Sequence, residues 1–481
     1  MTLEVIGVLA FLLGLLMLAR GPAFGAYALA ATSILGAAAA VQLPSLGDAS
    51  VPPAMIILPF FAVTIARHAH LRSAALASLT FPRAGFWFLL VVVFAILSAV
   101  FLPRIFGGMS YVYSLARNDD AVRIVTLPLA PRASNATQTL YLVADLICFA
   151  AVAAYVRRGG ARTIAGAVLF AAALHLFFAL ADIVTYATQT QEVLSVIRNA
   201  NYRMLNEGEI GGFKRIVGSF TEAGAYSYAA IGFYGFALSL WLDNHQPRAT
   251  GTIAALLLLV LALSTSSMAY ATLAAFSIIV LAGCVRRMLT REASRQQIAY
   301  ACVVPILLLL ALAGAMLVPA AWTTLSGLFD ATIANKLATQ SGIERLRWNH
   351  QALVAFFDTL GAGAGVGSVR ASSFVVAVLA NCGVLGCLLF AAFLVAVIIP
   401  ERPSVPQCAE NRIARAGAHA CLALLIAASI SAAGVDLGLF FSIFAAASAN
   451  SRGLYSASNR PLLSENRDSS LGRLAPAGAL P

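Results

Sequence analysis

Charge is what this sequence has least of. Of 481 residues, 31 are Lys or Arg and 20 are Asp or Glu, 11% in all, against 60% hydrophobic. A soluble domain carries about 25% charged and about 45–50% apolar residues. A water-soluble fold of this length would therefore lack the polar surface to cover its core. Lysine is almost missing, with Lys214 and Lys336 alone. The net charge of +11 comes from arginines spread over many loops, with no basic domain interleaved with aromatics. That argues against nucleic acid as a partner. The seven cysteines form no CxxC pair and none stands at ligand spacing from a histidine, so neither a disulfide framework nor a metal site is expected. Met1–Glu4 holds no positive residue and no small-residue cleavage site follows, so the first apolar run reads as a retained helix, not a cleavable signal.

What the chain has instead is long apolar blocks. Leu3–Ala19, Phe86–Leu102, Thr163–Ala187, Ile298–Val318 and Phe374–Ile399 carry few or no charges, and mean hydropathy is +0.87. A bilayer-spanning helix needs about 17–25 such residues. The runs do not alternate as barrel strands would. The expected fold is an all-α integral membrane protein, a polytopic bundle of about 11–13 transmembrane helices over residues 1–450. Helices are expected near 3–19, 23–43, 51–66, 85–102, 139–156, 163–187, 222–242, 251–264, 268–285, 299–318, 373–399, 418–433 and 435–449. The segment 451–481, rich in Ser, Asn, Gly and Pro, reads as a disordered cytoplasmic tail.

Arginines orient the bundle. Arg67, Arg72 and Arg83, then Arg157, Arg158 and Arg162, then Arg286, Arg287, Arg291 and Arg295, then Arg402, Arg412 and Arg415 fall at every second turn. The positive-inside rule places these short loops in the cytoplasm. Three long segments, about 103–138, 188–221 and 319–372, fall on the other side. Loops of that length usually carry function.

In the loop 188–221, Lys214-Arg215 precedes Gly218-Ser219-Phe220-Thr221-Glu222 at the start of a helix. Glu222 is either a helix cap or a carboxylate able to act as a base beside an anion held by Arg215. In the loop 319–372, Ile343, Leu346, His350, Leu353 and Phe357 make one apolar stripe, the pattern of a helix lying at the membrane surface. Arg347 and His350 are three apart and are expected to face one site, with Arg345 on another face and Trp348 an interface anchor. His350 is either a packing residue or a catalytic one. Next comes Leu360-Gly361-Ala362-Gly363-Ala364-Gly365-Val366-Gly367-Ser368. It is neither a Walker loop nor a dinucleotide fingerprint, and reads as a hinge or as a nest of amides for an anion. Arg370, Ser372 and Ser373 follow at the next helix start, where dipole and hydroxyls favour anions. Asp145, His175, Asp182 and Asp436 are intramembrane candidates, His175 and Asp182 sharing a helical face.

Arg215 with Gly218-Ser219-Phe220 before a helix, the paired helices around Ser264–Ser267, and Arg347-Trp348 through Leu360-Gly361-Ala362-Gly363-Ala364-Gly365 resemble the O-antigen ligase and Wzy-type polymerase superfamily. Asn381-Cys382-Gly383-Val384-Leu385-Gly386 is similar to that family's closing motif. The resemblance spans roughly residues 200–395 in motif and the whole chain in layout. It implies a GT-C-like bundle in the bacterial inner membrane that forms glycosidic bonds on the periplasmic face, with no metal and no cofactor. It implies an undecaprenyl-pyrophosphate-linked glycan donor, a glycan or lipid acceptor, and chain-length regulator and export proteins as partners. Arg215 and Arg347 match the family's basic residues that hold the pyrophosphate, with Arg370 and Ser373 added here. Where the family carries a His after the glycines, this chain reads Arg370-Ala371-Ser372-Ser373. The departure turns the expectation from ligase toward polymerase and leaves the base to be sought in Glu222 and His350. The alternative is a lipid-linked oligosaccharide flippase or another transporter.

Overall fold

The computed structural model describes residues 2–43, 49–118, 121–201, 204–205, 208–210, 213–317, 322–323, 326–327, 330, 339–399 and 408–449. The tail 451–481, expected to be disordered, and most of the segment 318–338 lie outside the described residues.

The helices are α1 (Val5–Arg20), α2 (Pro22–Ser33), α3 (Pro53–Arg67), α4 (Ala69–Ser78), α5 (Ala84–Ile105), α6 (Ala133–Tyr155), α7 (Ala161–Ala187) and α8 (Ala223–Leu242). They continue as α9 (Pro247–Leu263), α10 (Ser267–Leu289), α11 (Arg295–Leu317), α12 (Gln340–Asp358), α13 (Phe374–Ile398), α14 (Ala409–Ile430) and α15 (Gly438–Ala449). Their boundaries follow backbone chemistry. Gly21 at φ +84° followed by Pro22 parts α1 from α2, and Pro53 and Pro247 open α3 and α9. Arg158 and Gly159 leave helical geometry and part α6 from α7.

Helices occupy each of the thirteen segments expected, and the protein is an all-α polytopic membrane protein. By length and composition alone, six helical stretches among the described residues are able to cross a bilayer, or seven if α3 and α4, bent by 112°, form one span. One of the six, Ala133–Ala187, holds both α6 and α7. The difference from 11–13 lies in α6 and α7 counted as one stretch, in α8, whose 20 residues fall outside the six, and in short elements. Helix α2 has 12 residues, because the end of its apolar run, Val41–Leu43, pairs as a strand, and α1, α9 and α15 are apolar but short. Apolar side chains such as Phe101, Ile278, Leu309 and Leu388 are exposed, as lipid-facing residues are.

At the centre, nearly all of α8 is buried. Its Gly232 and Gly235 face Leu424, Ala423 and the His419 carbonyl of α14, whose inner face is alanine-rich. Small residues let two membrane helices approach closely, where packing replaces the hydrophobic drive that lipid cannot supply.

Short strands gather at one end of the bundle. Strands β1 (Thr2–Leu3), β2 (Val41–Leu43) and β3 (Ala49–Val51) form a small antiparallel sheet. A hairpin, β4 (Tyr111–Asn118) with β5 (Ala121–Pro128), fills much of the first long loop, and β6 (Glu209–Ile210) pairs with β7 (Phe213–Lys214). The long segments touch one another there. Arg370 N–H donates to Tyr113 O at 3.1 Å, Gln351 to Tyr111 O at 2.6 Å, and Ala39 N–H to Asn199 at 2.8 Å.

Candidate functional site

Asp182, near the end of α7, anchors the second loop. It is fully buried and pairs with Arg198 at 2.6 Å and Lys214 at 2.8 Å. The amides of Val217 (2.9 Å) and Gly218 (3.2 Å) donate to the same carboxylate. A carboxylate this buried persists only when paired and hydrogen-bonded. The Ser219 hydroxyl donates to Ile34 O at 2.6 Å, tying the loop to α2. Between these anchors stands Arg215, its amide bonded to Gly208 O at 2.9 Å. His175, read with Asp182 as one face, stacks on Tyr226 with centroids 4.0 Å apart and meets Phe220 of the same loop edge-on at 5.6 Å. Asp145 is buried in α6, and Asp436 accepts the Gly438 amide at 2.7 Å.

Glu222 occupies the N-cap of α8, but its side chain makes no cap hydrogen bond and is exposed. The carboxylate is therefore open to the guanidiniums beside it. Arg215 and Arg370 are each held below the usual arginine range, first by burial. Glu222 pulls both back up, and the positive charge of Arg345 pushes both further down. Arg215, Arg345, Arg370 and Glu222 thus share one electrostatic site, drawn from three separate segments of the chain.

Helix α12 supplies Arg345. Thr339 caps it, accepting from Gly342 N–H at 3.2 Å. Its apolar stripe is turned outward, with Leu346 51% and Phe357 70% exposed. The inward face carries Arg345, Trp348, Asn349 and Ala352. Arg345 donates to the Ser431 hydroxyl at 2.9 Å, beyond the end of α14. The guanidinium of Arg370 lies 5.1 Å from the Trp348 ring centroid, within cation–π range. Asn349 accepts the Ser372 amide at 2.7 Å. Arg347 and His350, expected to face the site, lie on the exposed face of α12. Both lie on the side of the helix that carries the exposed apolar stripe, opposite the side that carries Arg345 and Asn349. Ser373 is the N-cap of α13, half-buried, without a side-chain cap bond.

The glycine-rich loop is not an open nest of amides. Helix α13 breaks at Gly383 (φ +63°), which frees the carbonyls of Ala380 and Asn381. The amides of Ala364 and Gly365 donate to them at 2.8 and 2.9 Å, and Val384 N–H returns to Gly361 O at 3.0 Å. The Asn381 side chain accepts from the amides of Ser368 and Val369 and donates to the carbonyls of Val369 and Ala377. Those loop amides are engaged inside the protein. The glycines serve close backbone approach, because a Cβ at Gly363 (φ +87°) would stand 2.5 Å from Gly383 N. Gly363→Ala is expected to lower stability by about 1–3 kcal/mol or more, from the strained φ alone before the clash. Thermal unfolding of the purified protein checks this, and an unchanged melting temperature would show that the loop yields.

Two features mark the arginine site as incomplete by itself. The Nε atoms of Arg215 and Arg370 are buried with no hydrogen-bond partner among the described residues. An unsatisfied buried donor costs about 1–3 kcal/mol, and more when charged. Among the described residues, the charge of Glu222 reaches Arg215 and Arg370, and the charge of Arg345 reaches the same two, so guanidinium outweighs carboxylate there. The arrangement suits an anion with several acceptor oxygens. Compared with known proteins, the chain matches no protein-family model, no curated protein and no solved structure.

Proposed function

We propose that the protein is a membrane glycosyltransferase of surface polysaccharide biosynthesis, acting on an undecaprenyl-pyrophosphate-linked oligosaccharide at the outer face of the bacterial inner membrane. Polymerase is favoured over ligase. The observation that carries this reading is the gathering of Arg215 and Arg370 within reach of both Glu222 and Arg345, with two guanidinium Nε atoms unpartnered among the described residues. A pyrophosphate diester carries two negative charges and several acceptor oxygens, which suits a neighbourhood richer in guanidinium than in carboxylate. The outward apolar stripe of α12 supports a site near the bilayer surface, where a lipid-linked donor would present its head group.

In the proposed reaction the bond from the donor sugar's anomeric carbon to the pyrophosphate oxygen breaks, and an acceptor hydroxyl oxygen bonds to that carbon. Glu222 takes the hydroxyl proton, and the lipid pyrophosphate leaves with the bonding electron pair. Charge grows on the pyrophosphate oxygens in the transition state, where preorganised guanidiniums stabilise it most. Arginines here take the charge-neutralising role, so transfer is expected to persist in EDTA; loss of activity restored by a divalent cation would overturn that part.

A flippase is the second reading, favoured by the interrupted helix α13, since transporters build substrate sites on broken helices. In this chain the break at Gly383 is filled by the protein's own loop amides, which leaves no open coordination there. A deletion strain separates the readings. A polymerase leaves single uncapped repeats on the surface, and a ligase leaves complete polymer not attached to its acceptor. Lipid-linked repeats accumulating on the cytoplasmic face would overturn the proposal in favour of the flippase.

A further inference from the structure

The end of the bundle away from the arginine site holds a second polar constellation that the proposed transfer leaves unused. Asp243, just past α8, pairs with Arg415 of α14 at 2.9 Å and with Arg287 of α10 at 3.5 Å. Gln297 of α11 donates to the same carboxylate at 3.4 Å. Beside this network lies a cavity of about 100 Å³, lined among others by Ser239, Gly283, Arg286, Arg287, Arg415 and His419. One water needs about 10–15 Å³ of such space, so the cavity admits a group of several heavy atoms.

Charge in the cavity does not balance. Arg286, Arg287 and Arg415 line it with Asp243 as the one carboxylate, and Arg286 is exposed and makes no ion pair among the described residues. The wall formed by α10 is graded. Ile279, Gly283 and Arg286 stand at i, i+4 and i+7, on one helical face. Ile279 is 46% exposed, and the space where a side chain at Gly283 would stand is open to 4 Å. A groove therefore runs along α10 from an apolar wall, past an open glycine, to a guanidinium at the cavity. This order matches a phospholipid: acyl chain, glycerol, then phosphate.

We propose that this groove binds an anionic phospholipid, with its phosphate among Arg286, Arg287 and Arg415 and an acyl chain along Gly283 and Ile279. Basic pockets between membrane helices on an arginine-rich face are suited to anionic head groups. The site is independent of the proposed transfer reaction, and its test needs no activity. The full-length protein in detergent is titrated with phosphatidylglycerol, phosphatidylcholine or inorganic phosphate, and bound species are counted by native mass spectrometry. Phosphatidylglycerol should be retained in preference to phosphatidylcholine, and excess inorganic phosphate should not displace it. Arg286→Gln should weaken retention about ten- to a hundredfold, the loss expected for a hydrogen bond to a charged group. Gly283→Leu, which fills the groove and leaves the charges in place, should weaken it as well. Equal retention of the two lipids, or unchanged retention in both variants, would overturn the proposal. Displacement of phosphatidylglycerol by inorganic phosphate would overturn the lipid as ligand and assign the cavity to a free anion.

Discussion

Replacing Arg345 with alanine is expected to cut glycan transfer about a hundred- to a thousandfold with unchanged protein abundance in the membrane. Removing one preorganised donor to a developing oxyanion typically costs about 2.7–4 kcal/mol of transition-state stabilisation. Arg345 is half-buried, donates to Ser431, and adds its charge to that of Arg215 and Arg370. Arg215→Ala and Arg370→Ala should fall in the same range. Lysine at position 345 should restore only part of the activity, because it keeps the charge but loses the planar fork. Arg347→Ala is the internal control, two residues away on the exposed face of the same helix. It should stay within a few-fold of wild type, as a surface substitution usually changes stability by no more than about 0.5 kcal/mol. Transfer from lipid-linked donor in isolated membranes measures all five variants. Loss in Arg347→Ala with normal transfer in Arg345→Ala would mean that α12 presents its other face to the substrate.

The largest effect on stability is expected at Asp182. Asp182→Ala strips the shared partner from Arg198 and Lys214 and leaves the amides of Val217 and Gly218 without their acceptor. Breaking a buried ion pair by removing one member typically costs about 3–5 kcal/mol, because the other charge stays buried and uncompensated. The purified variant should melt well below wild type, and trypsin should cut faster after Lys214 and Arg215. Asp182→Glu should recover part of the loss, since it keeps the charge at a shifted position. A wild-type melting curve and cleavage pattern in Asp182→Ala would show that the loop stands without this anchor.

The bundle was legible in the sequence because lipid imposes one strong rule. A spanning segment must be apolar and must satisfy its own backbone, so hydropathy alone marks where helices lie. Length was less legible. The run 23–43 is mostly apolar, yet only Pro22–Ser33 is helical, and Val41–Leu43 finds strand partners at both edges, β1 and β3. The hairpin Tyr111–Pro128 was missed, although Tyr-Val-Tyr and Val-Arg-Ile-Val-Thr carry the β-branched and aromatic pattern of strands.

The candidate site was legible in part. Arg215, Glu222 and Arg370 were singled out, and the structure brings these three together. The partner from α12 was not legible, because helical spacing groups Arg347 with His350 but does not say which group faces the protein. That choice depends on the medium: at a bilayer surface the apolar stripe turns outward and the polar stripe inward, the reverse of a soluble helix. The anchoring role of Asp182 was also hidden, since its partners Arg198 and Lys214 are 16 and 32 residues away along the chain. The glycine run resisted reading for a different cause. Its amides pair with carbonyls released by a helix break more than a dozen residues downstream, and no local pattern announces that pairing.

The central claim is that Arg215, Arg345 and Arg370 form a seat for a lipid-linked pyrophosphate. The measurement that tests it most directly is the affinity of the purified full-length protein for undecaprenyl pyrophosphate, set beside undecaprenyl phosphate and repeated with all three arginines changed to alanine. Wild type should bind the pyrophosphate more tightly than the monophosphate, and the triple variant should lose that preference while remaining folded. Equal affinity for the two lipids in wild type, or an undiminished preference in the triple variant, would contradict the account.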